Sequence, residues 1–332
     1  MSYLVTGGAG FIGSHFARRL ARRGEKVVVY DKLTYAGNLD NLADIAELPN
    51  YAFYRGDIAN EEFVDHVVAA EGVKVIVNFA AESHVDRSIL GAADFIDTDV
   101  KGAFVLLEVA RRRGVERFVQ ISTDEVYGVA TERSFNENDA LNPRNPYSAS
   151  KAGADRLAYS YWVTHGVPVV ITRASNNYGP NQYPEKMLPL FTSNAIDDRK
   201  LPVYGDGRQV RDWLHVEDHC AAIELLIDKG ELGEVYNVAG GNERENIEIV
   251  QFILDELGKP DSLIEHVEDR KGHDRRYSLD SAKLRGLGWE PTMPFEQGIR
   301  STVRWYAEHQ DWWRKLKDEG YWDYYKRQYG GR

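Results

Sequence analysis

Short runs of β-branched and aromatic residues recur along the first half of the chain, and between them apolar positions repeat every three to four residues. The runs at 3–6, 26–30, 51–54, 73–77, 118–122 and 167–171 have the composition and length of strands. Helical patterns separate most of them, notably over 95–113 and 146–165. This alternation predicts an α/β fold: a Rossmann-type, doubly wound parallel sheet with helices on both faces. Such sheets bind ligands at the carboxyl ends of their strands, so chemistry is expected in the loops that follow the runs.

After about Asn176 the pattern changes. Proline and glycine become denser, at Gly179-Pro180, Pro184, Pro189, Pro202, Gly205 and Gly207, and the alternation loses regularity. A smaller mixed α/β substrate-binding lobe is expected here. The division read from the pattern is 1–175 for the Rossmann domain and 176–332 mainly for the second lobe, with some later segments returning to the first sheet. From Trp305 onward aromatics cluster, as in Trp312-Trp313 and Tyr321-Trp322. Plain packing is the first reading of this tail and a contact surface the second.

The chain has 332 residues, 43% of them apolar, enough to bury a large core in two lobes. Its formal net charge of -11 repels phosphate backbones and argues against a nucleic-acid partner. Cys220 is the single cysteine, so no internal disulfide forms and no metal site is expected. It reads as a packed thiol in a reducing compartment. The first apolar run lacks a basic leader, and no stretch of about 18 apolar residues exists, so a soluble, cytoplasmic protein with no membrane partner is expected.

Gly7, Gly10 and Gly13 form GxxGxxG between the first strand and a helix. Glycines there permit a tight turn and let the backbone approach a pyrophosphate, which sits on the helix N-terminus. An ordinary strand–helix turn is the bland alternative. Asp31 closes the second strand, where a carboxylate accepts from a ribose 2′-hydroxyl and repels a 2′-phosphate, which favours NAD over NADP. Lys32 beside it acts in the opposite sense. Asp57-Ile58, after the third strand, suits an adenine pocket.

Tyr147 and Lys151 are four residues apart and share one face of the 146–165 helix. A phenol needs help to act as a base near neutral pH, and an ammonium or a positive nicotinamide favours its phenolate. A surface Tyr–Lys pair is the default reading elsewhere; behind a dinucleotide loop the pair suits hydride chemistry at an alcohol. Thr123, Asp124 and Glu125 follow the fifth strand, where successive side chains point in different directions. Oxidation at carbon 4 of a hexose acidifies the proton on carbon 5. Glu125 is placed as the base that removes it, and Asp124 as the acid that protonates the departing hydroxyl of carbon 6. Asp124 must then hold a proton near neutral pH, through burial or a neighbouring charge.

Gly7 to Gly13, with Tyr147 and Lys151, resemble the extended short-chain dehydrogenase/reductases. Within these, Ala80 to Ser88 (AAESHVDRS), Ser122 to Gly128 (STDEVYG), Ser175 to Pro180 (SNNYGP), Pro184-Glu185-Lys186 and Asp269 to Tyr277 (DRKGHDRRY) resemble the dTDP-glucose 4,6-dehydratase family. The matches run from residue 4 to about 306.

The resemblance implies a hydro-lyase that converts dTDP-glucose to dTDP-4-keto-6-deoxyglucose and water with a tightly bound NAD regenerated in each turnover. It makes Tyr147 the base of oxidation, assisted by Lys151 and Thr123. It places Phe11, Ile12, Asp31, Lys32, Leu33, Thr34, Asp57, Ile58, Ala80, Ala81, Thr98 and Asn177 at the NAD, with the glycines, Tyr147 and Lys151. It places Ser83, Asn176, Glu185, Lys186, Pro202, Tyr204, Arg211, Asn246, Arg270, His273 and Tyr277 at the nucleotide sugar, with Thr123, Asp124 and Glu125. Arg211 and Arg270 suit a diphosphate, and Tyr204 suits a stacked base. A homodimer through helices 95–113 and 146–165 is also implied.

Two positions depart from the family's usual pattern: Asp99 stands in place of asparagine after Thr98, and Asn78 in place of histidine before Phe79. Nucleotide-sugar 4-epimerases and uronate decarboxylases share the loop and the Tyr–Lys pair but leave Asp124 beside Glu125 unexplained. GDP-mannose 4,6-dehydratase uses the same chemistry, and the Asp269–Tyr277 segment argues against it. A silent NAD-binding regulator would have no use for all four reactive groups.

Overall fold

A computed structural model describes residues 1–270 and 272–329. Seven strands form one parallel sheet: β1 (Ser2–Thr6), β2 (Lys26–Asp31), β3 (Tyr51–Arg55), β4 (Val75–Asn78), β5 (Arg117–Thr123), β6 (Val169–Ala174) and β10 (Val235–Val238). Their order is β10-β6-β5-β4-β1-β2-β3. From β1 the chain builds outward to β3, then crosses back and builds the other way from β4. The loops leaving β1 and β4 part in opposite directions and open a crevice at the carboxyl edge.

Every residue of β1 and β4 is buried, which is why these runs are apolar throughout. Leu4, Val28, Ile76 and Phe118 face helices Glu61–Glu71, Ala103–Arg113 and Pro146–His165. Tyr3, Val5, Val27, Val29, Val77 and Val119 face helices Phe11–Arg22 and Val216–Lys229. The last helix comes from far along the chain, and it buries Cys220 in this second layer.

Three elements differ from the sequence reading, one of them β4, which begins at Val75 rather than at 73. β6 begins at Val169 rather than at 167, because Pro168 has no N–H for a ladder and only its carbonyl is used, by Phe118. The 95–113 helix is interrupted: Ile96–Gly102 is a π-helical turn before the α-helix Ala103–Arg113. Its wider turn changes the helical phase and leaves Asp99 buried.

The second lobe holds β7 (Asn176–Tyr178), β9 (Val210–His215) and β11 (Glu243–Glu245) in one small sheet, and β8 (Leu201–Tyr204) and β12 (Ile264–Val267) in another. Helices Met187–Ile196, Asn246–Leu257 and Phe295–Glu308 pack around a core containing Tyr178, Phe191 and Trp213. Trp313, Tyr321 and Tyr324 are buried, so much of the aromatic tail is packing. Among the described residues no helix is long and apolar enough to cross a membrane.

Candidate active site

A cleft of about 300 Å³ follows the carboxyl edge of the sheet. Gly7 opens it at φ +64, and a Cβ there would lie 2.7 Å from the Ala80 nitrogen. A Cβ on Gly13 would lie 2.4 Å from the Gly7 carbonyl oxygen, so helix Phe11–Arg22 can start this close to β1 only with glycine. Gly10 caps that helix without a side chain, leaving its first-turn N–H groups free of side-chain partners. A backbone cradle of this kind fits a dinucleotide pyrophosphate.

Asp31 is buried at the end of β2 and accepts from the N–H groups of Ala9 (3.0 Å) and Leu33 (2.8 Å). Burial pushes its pKa up, and the two bonds act against that. Lys32 turns away to pair with Asp57 at 2.7 Å, so its charge is matched and its objection to NAD is weakened. Of the residues expected at the coenzyme, Leu33 alone does not line the cleft; its N–H orients Asp31 while its side chain packs on the sheet.

Thr123 ends β5 and caps the short 3-10 turn Asp124–Tyr127 by accepting from the Glu125 N–H. Its hydroxyl donates to Asp124 Oδ1 at 3.0 Å. Asp124 Oδ2 is buried without a partner. Burial, with the neighbouring Glu125, pushes this carboxyl up to about 8. Glu125 points elsewhere and accepts from Asn145 Nδ2 and the Tyr277 hydroxyl, each at 3.4 Å. Glu125, Asn176, Glu185 and Lys186 line both this cleft and a second one, so they stand at the junction.

Asn145 and Ser148 form a capping box that starts helix Pro146–His165, with proline in its first turn. This fixes Tyr147 in the first turn and Lys151 one turn later. Lys151 Nζ donates to the Ile121 carbonyl at 2.7 Å, and burial lowers its pKa. Burial, and then the carboxylates of Glu125 and Asp99, hold the Tyr147 phenol well above 10; the Thr123 hydroxyl acts the other way. The expected lowering by Lys151 is not found in the chain by itself, because that ammonium is turned toward the backbone of β5.

The second cleft lies between the lobes. Pro202, Tyr204, Arg211, Asn246, Arg270, His273 and Tyr277 line it together with the junction residues, whereas Ser83, Thr123 and Asp124 line the first cleft. Lys271 lies outside the described residues. Asp86 holds Arg270 at 2.9 Å and accepts from the Tyr204 hydroxyl at 3.0 Å. Arg211 lies 4.2 Å over the Tyr277 ring and donates to the Asp274 carbonyl at 3.0 Å. Two guanidiniums in one cleft, Arg211 buried and Arg270 half-buried, suit a diphosphate.

Asp86 was not singled out from the sequence; it acts through partners 118 and 184 positions away. His219 was also missed. Its Nδ1 meets Asn177 Oδ1 at 2.9 Å, and its buried Nε2 has no partner where the residue lines the first cleft. Its position on helix Val216–Lys229 gave no local signal, since that helix reaches the cleft only through the fold.

Residues 4–302 match the family described as GDP-mannose 4,6 dehydratase. The chain belongs to the 4,6-dehydratase family of extended short-chain dehydrogenase/reductases. It is 52% identical over 324 residues to the dTDP-glucose 4,6-dehydratase of Streptomyces niveus, covering 96% of each. It is also 52% identical over 307 residues to the low-salt glycan biosynthesis protein Agl12 of Haloferax volcanii, covering 92% of this chain and 98% of that one. The crystal structure of DesIV, a dTDP-glucose 4,6-dehydratase from Streptomyces venezuelae with NAD and TYD bound, superposes with a TM-score of 0.93. That likeness covers 96% of this chain and 100% of the other at 49% identity.

Proposed function

We propose that this chain is an NAD-dependent hydro-lyase that converts dTDP-glucose to dTDP-4-keto-6-deoxyglucose and water. The observation that carries this reading is Asp124: a buried carboxyl held up to about 8, with one oxygen free, beside a second carboxylate. An epimerase has no leaving hydroxyl to protonate. Residues 1–175 are assigned mainly to coenzyme binding and 176–332 mainly to the nucleotide sugar. The segment Asp269–Tyr277 brings Arg270, His273 and Tyr277 into the second cleft; dTDP-glucose is preferred over GDP-mannose because the Streptomyces niveus and Streptomyces venezuelae relatives are dTDP-glucose 4,6-dehydratases.

Gly7, Gly10, Gly13 and Asp31 would hold the NAD, with Tyr147 and Lys151 at its reactive end. When bound, NAD takes the hydride of carbon 4 and returns it to carbon 6, and its positive ring favours the Tyr147 phenolate. Tyr147 removes the proton from the carbon-4 hydroxyl. Glu125 then takes the proton of carbon 5, which the new ketone has acidified. Asp124 gives its proton to the carbon-6 oxygen as the C–O bond breaks, and water leaves. Glu125 returns its proton to carbon 5 when carbon 6 is reduced. Arg211 and Arg270 hold the diphosphate, so binding energy from the nucleotide positions the hexose.

The same proposal includes a homodimer in the cytoplasm. Ile96 and Phe104, on the segment around the π turn, and Tyr159 and Val163 on helix Pro146–His165 are exposed apolar side chains that a second copy would cover. The test of substrate is direct: purified protein is incubated with dTDP-glucose, UDP-glucose and GDP-mannose, and products are resolved by mass. A 4-keto product one water lighter is expected from dTDP-glucose. Absence of that product, while another nucleotide sugar reacts, overturns the substrate.

A further inference from the structure

The structure turns Asp99 inward. Its side chain is 2% exposed. Oδ1 accepts from the Glu82 N–H at 2.9 Å, and Oδ2 accepts from the Ser150 hydroxyl at 2.5 Å. Ser150 precedes Lys151 and also reaches the Tyr147 carbonyl at 2.8 Å. The carboxylate is thus tied on one side to the segment after β4 that lines the first cleft, and on the other to the helix that carries the Tyr–Lys pair.

The charged and titratable groups around it come from three elements. Lys151 and Tyr147, on helix Pro146–His165 beside the Ser150 that Asp99 holds, are near enough for its charge to act on them; Glu82 stands at the exit of β4, and Asp94, before the π turn, acts on Glu82. Burial, with Asp99 and Asp94, holds Glu82 up to about 7. Asp155 also acts on Lys151, but it is engaged by Arg173 at 2.8 Å and by Arg156 at 2.5 Å. Asp99 has no such cation on it among the described residues, which leaves Lys151 as the charge it complements. A buried ammonium whose hydrogen bond goes to one carbonyl sheds its proton unless a negative charge holds it.

We infer that Asp99 is a positioning residue for the hydride-transfer pair, its negative charge keeping Lys151 an ammonium and raising the pH at which Tyr147 becomes a base. This rests on Tyr147 and Lys151 acting as read above. Burial raises Asp99 itself only to about 6, against Lys151 and its two hydrogen bonds, so it is an anion at neutral pH.

Asp99→Asn tests the charge alone. The amide oxygen keeps the Glu82 N–H, and the amide nitrogen can donate to Ser150, whose hydroxyl still serves the Tyr147 carbonyl. Removing a negative charge lowers the pKa of both neighbours. In the NAD-loaded protein, the pH profile of carbon-4 oxidation is followed as coenzyme reduction in a single turnover. Both of its limbs are expected to move to lower pH by about one unit. The phenolate absorbance of Tyr147, taken as the difference from a matched Tyr147→Phe form with no substrate present, should move the same way. An unmoved profile and phenolate titration, or a shift to higher pH, overturns the inference. If the parent fails to turn over dTDP-glucose, the substrate reading falls, while the phenolate titration still decides the role of Asp99.

Discussion

Asp124 and Glu125 share a peptide bond but not an environment. Asp124 is enclosed with one oxygen unpartnered, and Glu125 sits between two donors at the junction of two clefts. That difference separates an acid from a base. Asp124→Asn should therefore keep carbon-4 oxidation but slow water loss by roughly 10²–10⁴-fold. Reduced-nicotinamide absorbance should accumulate, and dehydration at the parent rate would disprove the assignment of the acid. Steady-state turnover should also fall as pH rises through about 8, where Asp124 loses its proton. The same shift has a stability consequence. The folded pKa lies above the ordinary 3.8, so the contribution of this proton is complete below about 4 and is lost as pH rises through about 8. Asp124→Asn should thus melt higher than the parent above pH 8 by calorimetry, with the gap closing toward pH 4. The adjacency of the two carboxylates is plain from the sequence. The free oxygen of Asp124 is not, because it depends on what encloses it.

At the scale of elements, the site depends on how helices begin. Helix Phe11–Arg22 opens on glycine because any Cβ at Gly13 would strike the Gly7 carbonyl, which is backbone and cannot yield. Gly13→Ala should abolish retention of NAD, measured as coenzyme released on denaturing the purified protein. Helix Pro146–His165 opens on Asn145, whose side chain accepts from the Ser148 N–H at 2.8 Å. Asn145→Ala should cost about 1 kcal/mol of stability by denaturant titration. It should also reduce turnover, since the same side chain donates to Glu125 and its helix carries Tyr147. The glycine loop and the four-residue spacing of Tyr147 and Lys151 are legible in sequence because each is local. The π turn at Ile96–Gly102 is not, and with it the direction of Asp99 was hidden. A periodicity of 3.6 assigns faces correctly only while the helix keeps that period.

At the scale of the whole molecule, the clefts are closed by segments distant in the chain. Helix Val216–Lys229 and β10 come from beyond the middle of the sequence, yet the helix covers one face of the first sheet and the strand forms its edge. The Asp86–Arg270 pair ties positions 184 apart in the chain together at the second cleft. The exposed apolar side chains of helix Pro146–His165 lie away from both clefts, so an interface there leaves them open. Val163, 64% exposed, is its most accessible member. Val163→Glu should convert the proposed dimer to monomer in light scattering, and a native monomer in the parent would remove the dimer from the proposal. The sequence by itself determined the parallel sheet and the glycine turn after β1, and it put the candidate reactive residues on the page, because apolar periodicity, glycine spacing and neighbouring side chains are properties of a few consecutive positions. Only the tertiary structure decided that Asp124 is enclosed with one oxygen unpartnered, that Lys32 is matched by Asp57, and that Asp99 is buried against Ser150. Those depend on burial and on charges brought together from remote parts of the chain.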